Sequence, residues 1–193
     1  MICGDKNIFA IEYSITHAYE RPSFKGLGFF LIFINGKSYG VKAPNATMLA
    51  CSIDSVISRL QSRDHHVTPF ASNEDAGEIA DAFLDAVYNE ERPQSYFGLS
   101  IAEINAIIRL NHVTWAPDGD EAFDDGSFIL QFDIGDAVRL IGFRRLDDGH
   151  HDPISLGDIS IKATIFYDIL QEFLSKFEAE WQSLPKIPEG SNG

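Results

Sequence analysis

The sequence has few cysteines, few basic residues and no long apolar run, and each shortage excludes a class of protein. Its only cysteines, Cys3 and Cys51, form neither a metal-ligand spacing nor a disulfide framework. No stretch approaches the roughly 18 consecutive apolar residues of a membrane span. The first ten residues include Asp5, Lys6 and Asn7, where a secretory signal would be apolar. We therefore predict a soluble, cytoplasmic protein with no membrane association.

The shortage of basic residues is large and local. The 193 residues include 15 Lys and Arg but 29 Asp and Glu, a net charge of −14. Nucleic-acid-binding proteins need a basic surface to replace the counterions around phosphates, so we expect no direct nucleic-acid ligand. The segment from Ser72 to Asp136 holds 15 acidic residues and two basic ones, Arg92 and Arg109. Almost all of the excess charge thus lies in the middle third of the chain.

Strand patterns and amphipathic helix patterns alternate along the chain without an internal repeat. Asn35-Gly36 lies between two apolar runs, which predicts a hairpin over 27–41, and Gly135 marks a second hairpin over 128–143. Four helices are predicted: one capped by Asn45 or Thr47 and running to about residue 60, one over 73–89, one begun by the capping box of Ser100 and Glu103, and one over 163–184.

Hairpins beside helices, without regular strand–helix–strand units, favour an α+β fold with a mostly antiparallel sheet and about four helices. No linker-like segment divides the chain. We therefore predict a single domain over residues 1–184, followed by a disordered tail over residues 185–193.

The helix predicted over 73–89 carries the first of two acidic features. Its acidic residues recur at steps of four, three and four, which places them along one helix face: Glu74, Glu78, Asp81 and Asp85. Like charges at this spacing weaken an isolated helix, so we expect this acidic ridge to serve something other than helix stability.

The second acidic feature is an irregular loop rich in carboxylates: Asp118, Asp120, Glu121, Asp124 and Asp125. Aligned as a calcium-binding EF-hand from Asp118, the loop places Phe123 where a glycine is required, so the pattern does not favour calcium. A solvated loop is the simplest interpretation. The functional hypothesis is that the loop and the ridge present a negative surface to a basic protein partner.

Two histidine pairs are the main sign of enzymatic chemistry. His65-His66 follows Asp64, and His150-His151 precedes Asp152, so either pair could supply metal ligands or a general base. Adjacent residues point in different directions, however, so each pair offers at most one well-aimed ligand. Polar turns are the simpler interpretation, and we predict no enzyme, no metal site and no cofactor. A small metal-dependent hydrolase that uses both pairs is the alternative.

Several short segments, spread in order over nearly the whole chain, form a recognisable set: Met1–Glu12, Phe33–Gly36, Asp120–Ser127, Gln131–Asp133 and Phe166–Leu170. Together they resemble the immunity protein 42 family of bacterial polymorphic toxin systems. The resemblance implies a cytoplasmic antitoxin without catalytic residues. Such a protein binds and neutralises the polymorphic or contact-dependent toxin domain encoded beside it.

Charge and resemblance together suggest how such an antitoxin would work. Toxins that act on nucleic acid carry basic clefts, and an acidic inhibitor can occupy such a cleft. We therefore expect a basic toxin domain as partner, contacted by the ridge or by the 118–125 loop. An acidic adaptor protein whose partner is not a toxin is the competing binding function.

Overall fold

The computed structural model describes residues 1–89, 93–116 and 121–188, and these form an α+β fold, as predicted. The α-helices of the described residues are α1 (Leu49–Gln61), α2 (Ala76–Tyr88), α3 (Ile101–Leu110) and α4 (Ala163–Ser183). The strands are β1 (Ile2–Asp5), β2 (Phe9–Tyr19), β3 (Gly26–Ile34), β4 (Lys37–Tyr39), β5 (Thr47–Met48), β6 (Ser95–Tyr96), β7 (Leu99–Ser100), β8 (Thr114–Ala116), β9 (Ser127–Ile134), β10 (Ala137–Arg144), β11 (Gly157–Lys162) and β12 (Lys186–Ile187). A 3₁₀ turn spans Glu121–Phe123.

The first sheet is built around the β2–β3 pair and has the antiparallel order β1-β2-β3-β4, with β5 also beside β3. The predicted hairpin turn at Asn35-Gly36 is confirmed. Both residues have positive φ, 49° and 77°, as a type I′ turn requires. This sheet therefore follows the local turn chemistry of the sequence.

The second sheet has the antiparallel order β11-β10-β9-β8, and both of its faces are buried. On β9, Phe128, Leu130 and Phe132 alternate onto the face covered by α2 and α3. Ile129 faces the opposite way, into the core shared with the first sheet, α1 and α4. One sheet thus contributes to two hydrophobic cores.

Helix α4 supplies a large part of the first core. Its predicted span of 163–184 is confirmed to within one residue. Most of its apolar stripe is buried, namely Phe166, Leu170, Phe173, Phe177 and Trp181, whereas Ile165, which the helical spacing also predicts to be buried, is 51% exposed. Phe173 meets Tyr13 of β2 edge to face, with the ring centroids 5.2 Å apart. This packing fixes α4 against the first sheet.

The predicted N-termini of three helices can be compared with the observed ones. Ser100 and Glu103 form the predicted capping box of α3. The predicted cap of α1 is wrong, because Thr47 lies in β5, paired with Gly28, and α1 begins after Met48 without a side-chain cap. Helix α2 begins at Ala76 rather than at residue 73, since Asp75 accepts hydrogen bonds from two of its first backbone N–H groups.

The end of the described chain is tied to the first sheet. β12 pairs in parallel with Ala18 and Tyr19, and the Lys186 ammonium donates to the carbonyls of Trp181 and Leu184. Regular structure therefore continues past residue 185, where the predicted tail begins. Residues 189–193 lie outside the described residues.

Candidate functional site

The structure separates the members of the predicted acidic ridge. Glu74 precedes α2, and its carbonyl oxygen accepts a hydrogen bond from Arg139 at 3.0 Å. Asp85 is only 4% exposed, and its carboxylate accepts hydrogen bonds from Tyr96 and Asn89. Asp81 is partly covered, whereas Glu78 is exposed. The ridge is therefore not a continuous exposed stripe, because α2 packs against both α3 and the second sheet.

Asp81 is engaged by the histidines that the sequence placed in the second pair. Its Oδ1 accepts from the backbone N–H of His151 at 3.1 Å and lies 2.8 Å from His151 Nδ1. His150 Nδ1 lies farther away, at 3.5 Å. Burial raises the pKa of Asp81, but the hydrogen bonds from His151 outweigh it, so the pKa is lowered overall. This carboxylate holds α2 to the connection between β10 and β11.

Close packing at the same contact supports this role. A Cβ on Gly77 would lie 3.0 Å from Cε1 of the His151 ring, so the imidazole packs closely against the first turn of α2. His151 is thus held by both shape and hydrogen bonding.

The second predicted acidic feature is divided between exposed and paired residues. Glu121 and Asp124 are exposed, while Ala122 and Phe123 between them are buried and anchor the turn. Asp125 forms an ion pair with Arg144 at 2.8 Å. Asp118 and Asp120, which were predicted as partner-binding residues, lie outside the described residues.

Both acidic features border one element, the β10–β11 loop over residues 145–156. At one side, Arg145 N–H donates to the carbonyl of Gly126, directly after the 121–125 segment, at 3.2 Å. At the other side, His151 binds Asp81 of α2. The fold therefore brings together two acidic regions that are about 40 residues apart in the sequence.

The first sheet also holds this loop. The Tyr39 hydroxyl lies within hydrogen-bonding distance of the Ser155 carbonyl, at 2.7 Å, and of the Gly142 carbonyl, at 3.0 Å. A Cβ on Gly142 would lie 2.5 Å from the Tyr39 ring, so this close approach requires glycine. Nothing in the sequence of this loop indicated that Tyr39 is its anchor.

Of the other histidine pair, His66 lies in a buried polar cluster, whereas His65 is exposed. His66 is buried, and its Nδ1 lies 3.1 Å from the carbonyl oxygen of Asn111. Because a carbonyl oxygen only accepts, this bond requires the tautomer with the hydrogen on Nδ1. Arg59 Nη1 lies 3.3 Å from the same nitrogen, and Nε2 has no hydrogen-bond partner among the described residues. Burial and the positive charge of Arg59 lower the pKa of His66.

Arg59 and Asp133 complete this cluster. The Arg59 guanidinium donates to the carbonyls of His112 and Thr114, and burial lowers its pKa to about 10, so it stays charged at neutral pH. Asp133 accepts from the backbone N–H of His66 at 3.1 Å and from the Tyr167 hydroxyl at 3.2 Å. These bonds join α1, α4 and the second sheet.

The two histidine pairs do not combine into a metal site. Within residues 1–89, 93–116 and 121–188, no group of three His, Cys, Asp or Glu side chains is placed to hold a metal ion. His66 and His151 are each committed to a different internal contact. The alternative of a hydrolase that uses both pairs therefore finds no support in this arrangement.

Among the helices of the described residues, none has both the length and the apolar character needed to cross a membrane. The longest, α4, carries charged residues along its exposed side, including Asp168, Glu172 and Lys176.

Comparison with known proteins identifies a similar solved structure and a matching family. No curated protein sequence matches the chain. Among solved structures, CdiI from Burkholderia dolosa AUO158 is similar, with a TM-score of 0.55 and 16% sequence identity over 91% of this chain and 99% of that one. At this identity the similarity concerns the fold. The family model described as immunity protein 42 matches residues 1–176, which is most of the chain. The chain therefore belongs to the immunity protein 42 family.

Proposed function

We propose that this immunity protein acts in the cytoplasm, without catalysis, by binding the toxin domain encoded beside it and so neutralising that toxin. The observation that carries the proposal is the family match over residues 1–176. It favours an antitoxin over an adaptor of an unrelated pathway. The shared fold with CdiI is consistent with a polymorphic or contact-dependent toxin as the partner.

We further propose that the partner surface is basic and meets exposed carboxylates around the β10–β11 loop. The chain has a net charge of −14, and Glu78, Glu121 and Asp124 are exposed next to that loop or its supports. Opposite surface potentials accelerate encounter and disfavour wrong partners more than they add affinity. Asp118 and Asp120 belong to the same proposal by sequence position, as do Glu74, Asp81 and Asp125, which also make internal contacts. Asp85 does not belong to it, because its side chain is only 4% exposed.

The test of neutralisation is co-expression of this chain with the C-terminal domain of the toxin gene beside its own. We expect growth to be restored by this chain and not by an immunity protein from a different toxin locus. A purified complex of the two should form at equal stoichiometry. Continued growth arrest, together with no complex, would contradict the proposal.

The electrostatic part has its own test in association kinetics. Glu121→Lys with Asp124→Lys should slow association about tenfold at low salt, and Glu78→Lys should slow it less; both effects should shrink as salt rises. Asp168→Lys on the exposed side of α4 is the matched control, with no expected change. If the variants around the loop associate as fast as this control, the basic-partner proposal is wrong, although neutralisation can still hold.

A further inference from the structure

The β10–β11 loop is unusual in being firmly held while presenting large apolar side chains to solvent. Backbone hydrogen bonds close it internally, from Leu146 N–H to the His150 carbonyl at 2.8 Å and from Asp152 N–H to the Arg144 carbonyl at 2.8 Å. Contacts from α2 and the first sheet, described above, fix it from outside. Its exposed groups are therefore presented in one conformation, which lowers the entropy lost on binding.

Two apolar side chains project from this loop. Ile154 is 86% exposed and Leu146 is 42% exposed. Single exposed apolar residues are common on protein surfaces and need no explanation. Here, however, two of them lie on one ordered loop, and each borders a cleft. Their position on one ordered loop, each beside a cleft, distinguishes them from isolated exposed residues such as Leu110 of α3.

The clefts lie on either side of the loop. One, of about 330 Å³, is lined by Tyr88, Gly126, Phe128, Arg145, Leu146 and Asp147. The other, of about 300 Å³, is bordered by Lys37, Arg144, Asp152 and Ile154. The loop thus lies between two clefts, and a partner protein could contact it in both.

The basic side chains at these clefts differ in whether they are already used to hold the loop. Lys37 donates to the Ile154 and Leu156 carbonyls, and Arg144 is paired with Asp125, so both serve to hold the loop. Arg145 instead lies over the Tyr88 ring at 4.1 Å and forms no ion pair among the described residues. A preoriented arginine on an aromatic ring is typical of the residues that dominate binding energy at interfaces.

Carboxylates surround these apolar and aromatic groups. Asp147 and Asp148 of the loop are exposed, as are Glu121 and Asp124 of the neighbouring segment. An apolar centre with a charged rim is the usual arrangement of a protein-binding surface, and the sign of this rim matches a basic partner.

From these observations we infer that the β10–β11 loop is the main contact element for the cognate toxin domain, with Ile154 inserted into an apolar pocket of the toxin and the surrounding carboxylates facing its basic rim. The inference rests on the proposed function. It also assigns the acidic face of α2 a supporting role: Asp81 holds the loop through His151, and the loop contacts the toxin.

Binding kinetics with the purified toxin domain encoded beside this chain test the inference. Ile154→Asp should weaken the complex about 30-fold or more, mainly through faster dissociation, as for a residue that dominates an interface. Leu146→Asp and Arg145→Ala should each weaken it about tenfold. Leu110→Asp is the matched control, because Leu110 is 79% exposed on α3, and it should change binding by less than about twofold.

The outcomes separate this inference from the proposed function. If the unaltered chain binds and protects, but all three loop variants bind like Leu110→Asp, the contact assignment is wrong and the antitoxin function stands. The assignment also fails if Leu110→Asp loses as much affinity as Ile154→Asp. If the unaltered chain does not bind the toxin domain, the proposed function itself fails. Unchanged circular dichroism and Tm for each variant exclude misfolding as the cause.

Discussion

The two histidine pairs look alike in the sequence and differ in what surrounds them. In each pair the second histidine turns inward and the first is exposed. His66 lies in a closed polar cluster beside Arg59, whereas His151 is half-buried and bound to Asp81. Neither is bound by the aspartate next to it in the sequence. The comparison shows that burial and partners from other elements decide whether such a histidine supports the core or a surface loop.

The largest expected loss of stability comes from the buried polar cluster around His66. Arg59→Met should lower the free energy of unfolding by about 3 kcal/mol, because it removes a buried charged side chain and leaves the carbonyls of His112 and Thr114 without their donor. Urea unfolding measures this change. Arg109→Ala, an exposed arginine on α3, is the control and should change stability by less than about 0.5 kcal/mol. Similar losses for both would mean that the cluster does not stabilise the fold.

The next effect concerns the contact held by Asp81. Asp81→Ala removes the acceptor of two hydrogen bonds from His151 and should cost about 1–2 kcal/mol in urea unfolding. Asp81→Asn keeps an acceptor oxygen and should cost less. Because the folded pKa of Asp81 is lowered, its contribution is present above the unfolded value of 3.8 and lost as pH falls through the folded value. Equal losses for both variants would show that packing, not hydrogen bonding, dominates.

A smaller effect is the pH dependence of stability that His66 causes. The folded pKa of His66 is lowered from 6.5, so the unfolded chain takes up this proton at a higher pH than the folded chain. Stability should therefore fall as pH decreases below about 6.5, before most carboxylates titrate. Urea midpoints from pH 7 to pH 5 should show a shallower slope for His66→Gln, while His65→Gln keeps the original slope. Parallel curves for all three proteins would contradict this origin of the pH dependence.

The smallest effects are expected for the exposed members of the pairs. His65→Ala and His150→Ala should each change the free energy of unfolding by less than about 0.5 kcal/mol, because both side chains are exposed. Thermal unfolding at neutral pH is sufficient to measure this. A loss of more than about 1 kcal/mol from either would remove the distinction between inward and outward histidines.

Features decided by neighbouring residues could be predicted from the sequence. The turn at Asn35-Gly36, the capping box of Ser100 and Glu103 and the span of α4 depend on residues within a few positions of each other. All three are confirmed. By contrast, the short strands β5 and β12 have little pattern of their own and exist because β3 and β2 offer free edges.

For the candidate site, the sequence predicted which acidic residues to consider but not how they are arranged. The sequence identified acidic residues in two regions, but the orientation of α2 decided that Asp85 would be buried and that Asp81 would bind a histidine about 70 positions away. The exposure of Ile154 also could not be predicted, because a single isoleucine beside a proline is equally compatible with a buried position. Partners distant in the sequence, such as Tyr39 and Ser155, carry no local signal.

The second sheet, covered on both faces, connects toxin binding to the thermal behaviour of the whole chain. The proposed contact loop continues directly from β10, which contributes Leu140 to one core and Ile141 to the other. A ligand that binds only the native state raises its melting temperature, and at about 100 times its Kd it adds about 2.7 kcal/mol. Because β10 belongs to both cores, opening either core would disturb the loop, so a toxin bound there should slow amide hydrogen exchange in both.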